Sequence, residues 1–82
     1  MNQMIRTASQ LGAFIQDTRS RQNLSQQQLA EMIGKHQKTI SSIEQGNPGT
    51  KLDTILLVLA ALNQKIEVGP RSKSGADISN IF

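Results

Sequence analysis

LSQQQLAEMIGKHQKTISSIEQG, residues 24–46, carries two short helical patterns hinged on one glycine. The first opens at Ser25. Ser-Gln-Gln-Gln over residues 25–28 has the capping-box form, with Gln28 at the third helical position reaching back to Ser25. Leu29, Met32 and Ile33 follow on one side, and Ala30 is small enough for another helix to come close. Gly34 stops the pattern, because glycine tolerates the left-handed backbone at a helix end. The second pattern spans residues 37–45. Its only large apolar residues are Ile40 and Ile43, enough for one thin core stripe. Its other side is short, polar and largely uncharged. Gly46 closes it, and Asn47-Pro48-Gly49 is loop chemistry.

Outward from this pair, two more helices are expected. Thr-Ala-Ser-Gln (7–10) is a second capping box, and Leu11, Phe14, Ile15 and Thr18 recur behind it at helical spacing. Asn23 and Leu24 end that helix near residue 22. After the loop, a fourth helix is expected over residues 51–62, with Thr50 as N-cap and Asp53 in its favourable first turn. Leu52, Ile55, Leu56, Leu59 and Leu62 make a complete core stripe, leaving Leu57, Val58 and Ala61 on another side. A helix apolar nearly all round is buried on more than one face. Either a second subunit supplies that burial, or the stripe is wide and a few aliphatics stay exposed.

Lys65-Ile66-Glu67-Val68 alternates polar with apolar and suits a short strand. A lone strand leaves backbone hydrogen bonds unmade, and pairing with its own copy across a two-fold axis would make them. This assigns Leu57, Val58, Ala61, Ile66 and Val68 to a dimer interface. The tail over residues 70–82 is rich in Ser, Gly and charge and is expected to be flexible. Its apolar tip, Ile81-Phe82, is either an anchor for a partner or simply disordered.

The chain's 82 residues are enough for one small domain. It contains no cysteine and a single histidine, His36, which excludes disulfides and thiolate metal sites and leaves oligomerisation as the aid to a small core. Neither a cofactor nor a small-molecule ligand is expected. The net charge of +3 favours a polyanionic partner. Two phenylalanines are the only aromatics, which argues against stacking on single-stranded nucleic acid. The longest apolar stretch, residues 55–62, is far short of the about 20 residues of a membrane span. The expectation is a soluble, cytoplasmic protein with no membrane partner.

Two helices joined by a tight glycine turn make the helix-turn-helix plan, whose second helix enters the DNA major groove. Gln37 and Lys38 sit at the start of that helix, where base edges are reached. A glutamine suits adenine N6 and N7, and a lysine suits guanine O6 and N7. Ser42 lies one turn further on, with Ser41 beside it. Gln26, Lys35, His36 and Thr39 are assigned to phosphates, Gln26 because it opens the preceding helix, where free amides attract an anion. For each of these the alternative is a solvated polar side chain. A pure protein-interaction module remains a competing reading. An enzyme is disfavoured, because no nucleophile, base and orienting group stand at workable spacing.

The same stretch resembles the helix-turn-helix of phage repressor and Cro-like (xenobiotic-response-element type) regulators. Gln26, Leu29-Ala30, Gly34, Thr39-Ile40-Ser41, Ile43-Glu44 and Gly46 carry the match. The resemblance implies DNA contacts at Gln26, Gln37, Lys38 and Ser42, and an internal ion pair between Arg19 and Glu44. Otherwise Glu44 is solvated, or repels phosphate to sharpen register. TASQLGAF, EQGNPGTKLDTI, the fourth helix and KIEV further resemble the HipB-type antitoxins. That likeness implies a homodimer with paired C-terminal strands on a palindromic double-stranded operator, repression of its own operon, and a HipA-like kinase toxin as partner. A stand-alone phage or metabolic repressor is the alternative. The expected architecture is all-α: a compact four-helix helix-turn-helix domain over residues 1–69 (helix-turn-helix 25–46), a short C-terminal strand pairing across a dimer, and a tail over 70–82.

Overall fold

A computed structural model describes residues 3–71. The fold is all-helical: α1 (Ala8–Arg21), α2 (Gln26–Met32), α3 (Gln37–Glu44) and α4 (Leu52–Ala61). Both capping boxes form. Thr7 accepts from the Gln10 amide at 3.1 Å while the Gln10 side chain accepts from the Thr7 amide at 3.2 Å. Ser25 and Gln28 repeat the exchange at 3.0 and 2.8 Å.

The four helices also end alike. A left-handed residue follows each cap: Asn23 (φ 60°), Gly34 (φ 68°), Gly46 (φ 84°) and Asn63 (φ 61°). The next amide reaches back five residues, from Leu24 to Arg19, Lys35 to Ala30, Asn47 to Ser42 and Gln64 to Leu59, at 2.8–3.1 Å. This is the Schellman closure, which satisfies carbonyls that a helix end leaves unpaired.

The core gathers Ile15 of α1, Leu29 and Ala30 of α2, Ile40 and Ile43 of α3, and Ile55, Val58, Leu59 and Leu62 of α4 and its cap. Leu11, Phe14, Leu24, Ile33 and Ala61 pack partly against it. The thin stripe of α3 is thus sufficient, since Ile40 and Ile43 are both buried. The closest approach is made by Gly12 on α1. A Cβ there would collide with the Ile43 carbonyl oxygen and lie 2.7 Å from that of Glu44. The backbone of α1 therefore rests directly on the end of α3. At the opposite end of the bundle, Gln22 Nε2 donates to the Leu62 carbonyl at 2.8 Å and ties α1 to the end of α4.

Two expectations are corrected, and the expected C-terminal strand does not form in one chain by itself. The N-cap of α4 is Lys51, with no side-chain cap hydrogen bond. Thr50 instead lines a shallow apolar depression of about 140 Å³ with Ala8, Leu11, Pro48 and Ile55. The buried face of α4 is Thr54, Ile55, Val58 and Leu59, while Leu52, Leu56 and Leu57 are 67%, 47% and 45% exposed. Val58 is fully buried in the protomer's own core and has no surface to offer a second subunit. The physical reason is that α4 is apolar all round, so its composition does not set its rotation; packing on the rest of the domain does. Finally, residues 64–71 form neither helix nor strand in the single chain. Lys65 and Glu67 pair at 3.0 Å in solvent, and Val68 is almost wholly exposed. Most of the expected tail, including Ile81 and Phe82, lies outside the described residues.

Gly12→Ala forces backbone apart and is expected to cost about 1–3 kcal/mol in denaturant unfolding. Thr54 is buried, and its hydroxyl makes no hydrogen bond among the described residues. Thr54→Val should therefore be neutral or stabilising, by up to about 1 kcal/mol in the same measurement.

Candidate nucleic-acid interface

At about 100° per residue, Gln37, Lys38, Ser41, Ser42 and Gln45 share one side of α3, Thr39 lies at its margin beside Ser42, and Ile40 and Ile43 face away. Gln37 and Lys38 are exposed, as are Lys35 and His36 in the turn. Ser41, Ser42 and Thr39 are half-buried. His36 is the N-cap of α3, and its side chain makes no cap hydrogen bond. The first amides of α3 therefore lack a side-chain cap at the end where Gln37 and Lys38 project.

Beneath this face lies a buried ion pair. Arg19 Nε donates to Glu44 Oε2 at 2.6 Å, and Nη2 donates to Oε1 at 3.0 Å. Arg19 Nη1 also donates to the Leu24 carbonyl at 2.7 Å. The two side chains are only 12% and 3% exposed. One guanidinium thus clamps α1, the α1–α2 link and the end of α3 together, in the two-pronged geometry that arginine makes with a carboxylate. The hydrogen bond to Glu44 raises the Arg19 pKa above its ordinary value, against the opposing pull of burial. The stability this adds is fully present below the ordinary arginine value and is lost only as pH rises through the raised one. Glu44 is neither solvated nor turned outward, so the one acid of α3 is neutralised inside the domain.

A polar chain climbs from that pair to the surface. Gln26, at the start of α2, donates Nε2 to Glu44 Oε1 at 3.0 Å. Its Oε1 accepts from Gln37 Nε2 at 3.3 Å. Gln26, assigned from sequence to a phosphate alone, is thus bonded to an expected base reader. Gln45 was missed as a member of the face. It donates Nε2 to Ser41 Oγ at 3.2 Å. The signal for it was present, since Gln45 follows Ser41 by four residues and so stands above it on the helix. Gly12 was missed as well, because close backbone approach leaves no periodic trace.

Among the described residues no group of three or more His, Cys, Asp or Glu could hold a metal ion. No helix of the described residues is long and apolar enough to cross a membrane. What the face offers is a row of hydrogen-bonding side chains above a buried ion pair. Arg19→Ala would leave Glu44 buried and unpaired. It is expected to cost about 3–5 kcal/mol, read as a fall in the urea midpoint. Arg21→Ala, in an exposed pair with Asp17 one helical turn away, should change the midpoint little.

Comparison with known proteins agrees with this geometry. The helix-turn-helix family HTH_3 matches residues 15–68. An uncharacterized HTH-type transcriptional regulator of Sinorhizobium fredii, y4mF, is 32% identical over 68 residues, covering 83% of this chain and 90% of that protein. The control protein C.SmaI of Serratia marcescens is 36% identical over 56 residues, covering 68% and 67%. Among solved structures, a HipB variant in complex with an O2 20mer superposes with a TM-score of 0.82 at 28% identity, over 88% of this chain and all of that one. HipB in a HipA–HipB–O2–O3 complex gives 0.81 at 28%, over 87% and 100%. These relatives are regulators rather than enzymes. With a matching family domain over most of its described length and a HipB-like arrangement of four helices, the chain belongs to the HTH_3 helix-turn-helix family of DNA-binding regulators.

Proposed function

We propose that the chain is a sequence-specific transcriptional repressor that acts as a two-fold dimer, represses its own operon and neutralises a HipA-like kinase toxin by forming a complex with it. The observation that carries this reading is the outer face of α3, whose one acid is locked away by Arg19. Gln37, Lys38, Ser41 and Ser42 read base edges in the major groove. Gln26, Lys35, His36 and Thr39 hold the flanking phosphates and fix the register. The toxin partner is supported by the likeness to HipB as solved together with HipA and operator fragments.

The dimer is built from apolar surface that the single chain leaves uncovered. Leu52, Leu56 and Leu57 on α4 are exposed, and so are Ile66 and Val68 beyond it. The unpaired backbone of residues 65–68 adds a strand to its own copy across the two-fold axis, which satisfies groups that one chain alone leaves to water. Residues 1–69 form the DNA-binding and dimerisation domain, and residues 70–82 form its tail. A two-fold protein binds a palindromic operator with half-sites one or more helical turns apart. The protein works in the cytoplasm.

A stand-alone regulator is the second reading, and the similarity to the control protein C.SmaI favours it. Co-purification of a kinase-like protein encoded beside this chain decides between the two.

A duplex from the chain's own promoter should be retained at low salt and released steeply as salt rises, because each neutralised phosphate frees counterions. No retention would remove the repressor reading. Lys38→Ala should cost about 1–3 kcal/mol of operator affinity and relax preference at one base pair. An equal loss on every sequence would assign Lys38 to phosphate instead. Leu56→Asp with Ile66→Asp should shift the protein to monomer in sedimentation equilibrium.

A further inference from the structure

The acid beneath the recognition face does more than pair with Arg19. A carboxylate accepts hydrogen bonds and never donates. Glu44 Oε1 already accepts from Arg19 Nη2 and from Gln26 Nε2, each at 3.0 Å. The NH2 group of Gln26 must therefore face Glu44, which turns its carbonyl oxygen toward Gln37. Gln37 Nε2 donates to that oxygen at 3.3 Å, so one of its two N–H groups is consumed inside the protein. Gln37 has one N–H and one carbonyl left to show to a base. Adenine, with N7 accepting and N6 donating, is the complement of that pair. Guanine is not, because N7 and O6 both accept and call for two N–H groups. A glutamine released from Gln26 would have both N–H groups free and could serve guanine as well.

We infer that Glu44 is a positioning residue for base recognition: by fixing the amide polarity of Gln26, and through it of Gln37, it selects adenine over guanine at the base that Gln37 meets. The inference rests on the proposed DNA-reading role of α3. It makes specificity depend on a side chain that is itself out of reach of DNA. The direction of the chain follows from Glu44 alone, since each amide downstream has its orientation dictated by the group before it.

The test is selection of bound duplexes from a randomised library, read by sequencing, for the full chain and four variants whose folding is checked by circular dichroism. Glu44→Gln replaces the acceptor-only group with one that also donates, so Gln26 is free to flip and release Gln37. Gln26→Leu cuts the chain above the ion pair and leaves Arg19–Glu44 in place, so it carries the test if Glu44→Gln does not fold. Ile15→Val weakens the core away from the chain. Gln37→Ala identifies the base position.

The wild type should prefer adenine over guanine there by roughly tenfold or more. Glu44→Gln and Gln26→Leu should bring that ratio to near parity, while Ile15→Val keeps it. An unchanged ratio in either folded chain variant, or an equal loss in Ile15→Val, overturns the inference. If the wild type selects a sequence whose Gln37 position is not adenine, only the polarity inference falls. If it selects no sequence at all, the DNA-reading role falls with it.

Discussion

The Arg19–Glu44 pair is the constraint on which the outer face of α3 depends. It joins the last turn of α1 to the last residue of α3, and its third donor holds the Leu24 carbonyl in the link to α2. Three segments are thereby fixed by one guanidinium. The geometry explains why α3 manages with two isoleucines. Ile40 and Ile43 anchor its inner side, the pair anchors its end, and Gly12 lets α1 rest on the carbonyls between them. A buried pair is expensive to desolvate, and its value here lies in orientation more than in net stability.

That economy decides what the outer face can be. Because the acid of α3 is spent internally, the surface that remains is donor-rich and carries no negative charge of its own. A helix of eight residues offers room for few contacts, and these stand on a base held by Ile40, Ile43 and the Arg19–Glu44 pair. Placing hydrogen-bonding side chains on a rigid support is what base discrimination requires, since a mobile side chain adapts to the wrong partner.

Much of this was legible in the sequence, and the reasons differ from element to element. Helix starts were readable because a capping box is a local code: Thr7 with Gln10 and Ser25 with Gln28 formed as their spacing implied. Helix ends at Gly34 and Gly46 were readable for the same reason. The phase of α4 was not, because a helix with apolar residues at most positions gives packing several equivalent faces to choose from. Leu52 and Leu56 therefore came out exposed and Val58 buried. The start of α4 was misplaced by one residue, since Thr50 found an apolar depression instead of the free amides. The polar chain from Glu44 to Gln37 was beyond reach of periodicity: it joins residues 18 and 11 positions apart, which only the packed fold makes neighbours.

The shared ending of the four helices has a kinetic consequence. α2 and α3 have seven and eight residues, too few to persist alone in water, where isolated helices below about 12–15 residues are marginal. Yet each is punctuated by signals only a few residues away in the chain. Where an element begins and stops is settled locally, and whether it exists is settled by docking on its neighbours. Contacts between successive helices close short loops, and short loops close fast. Such a domain is suited to forming in one concerted step soon after it leaves the ribosome, and to coming apart in one step as well.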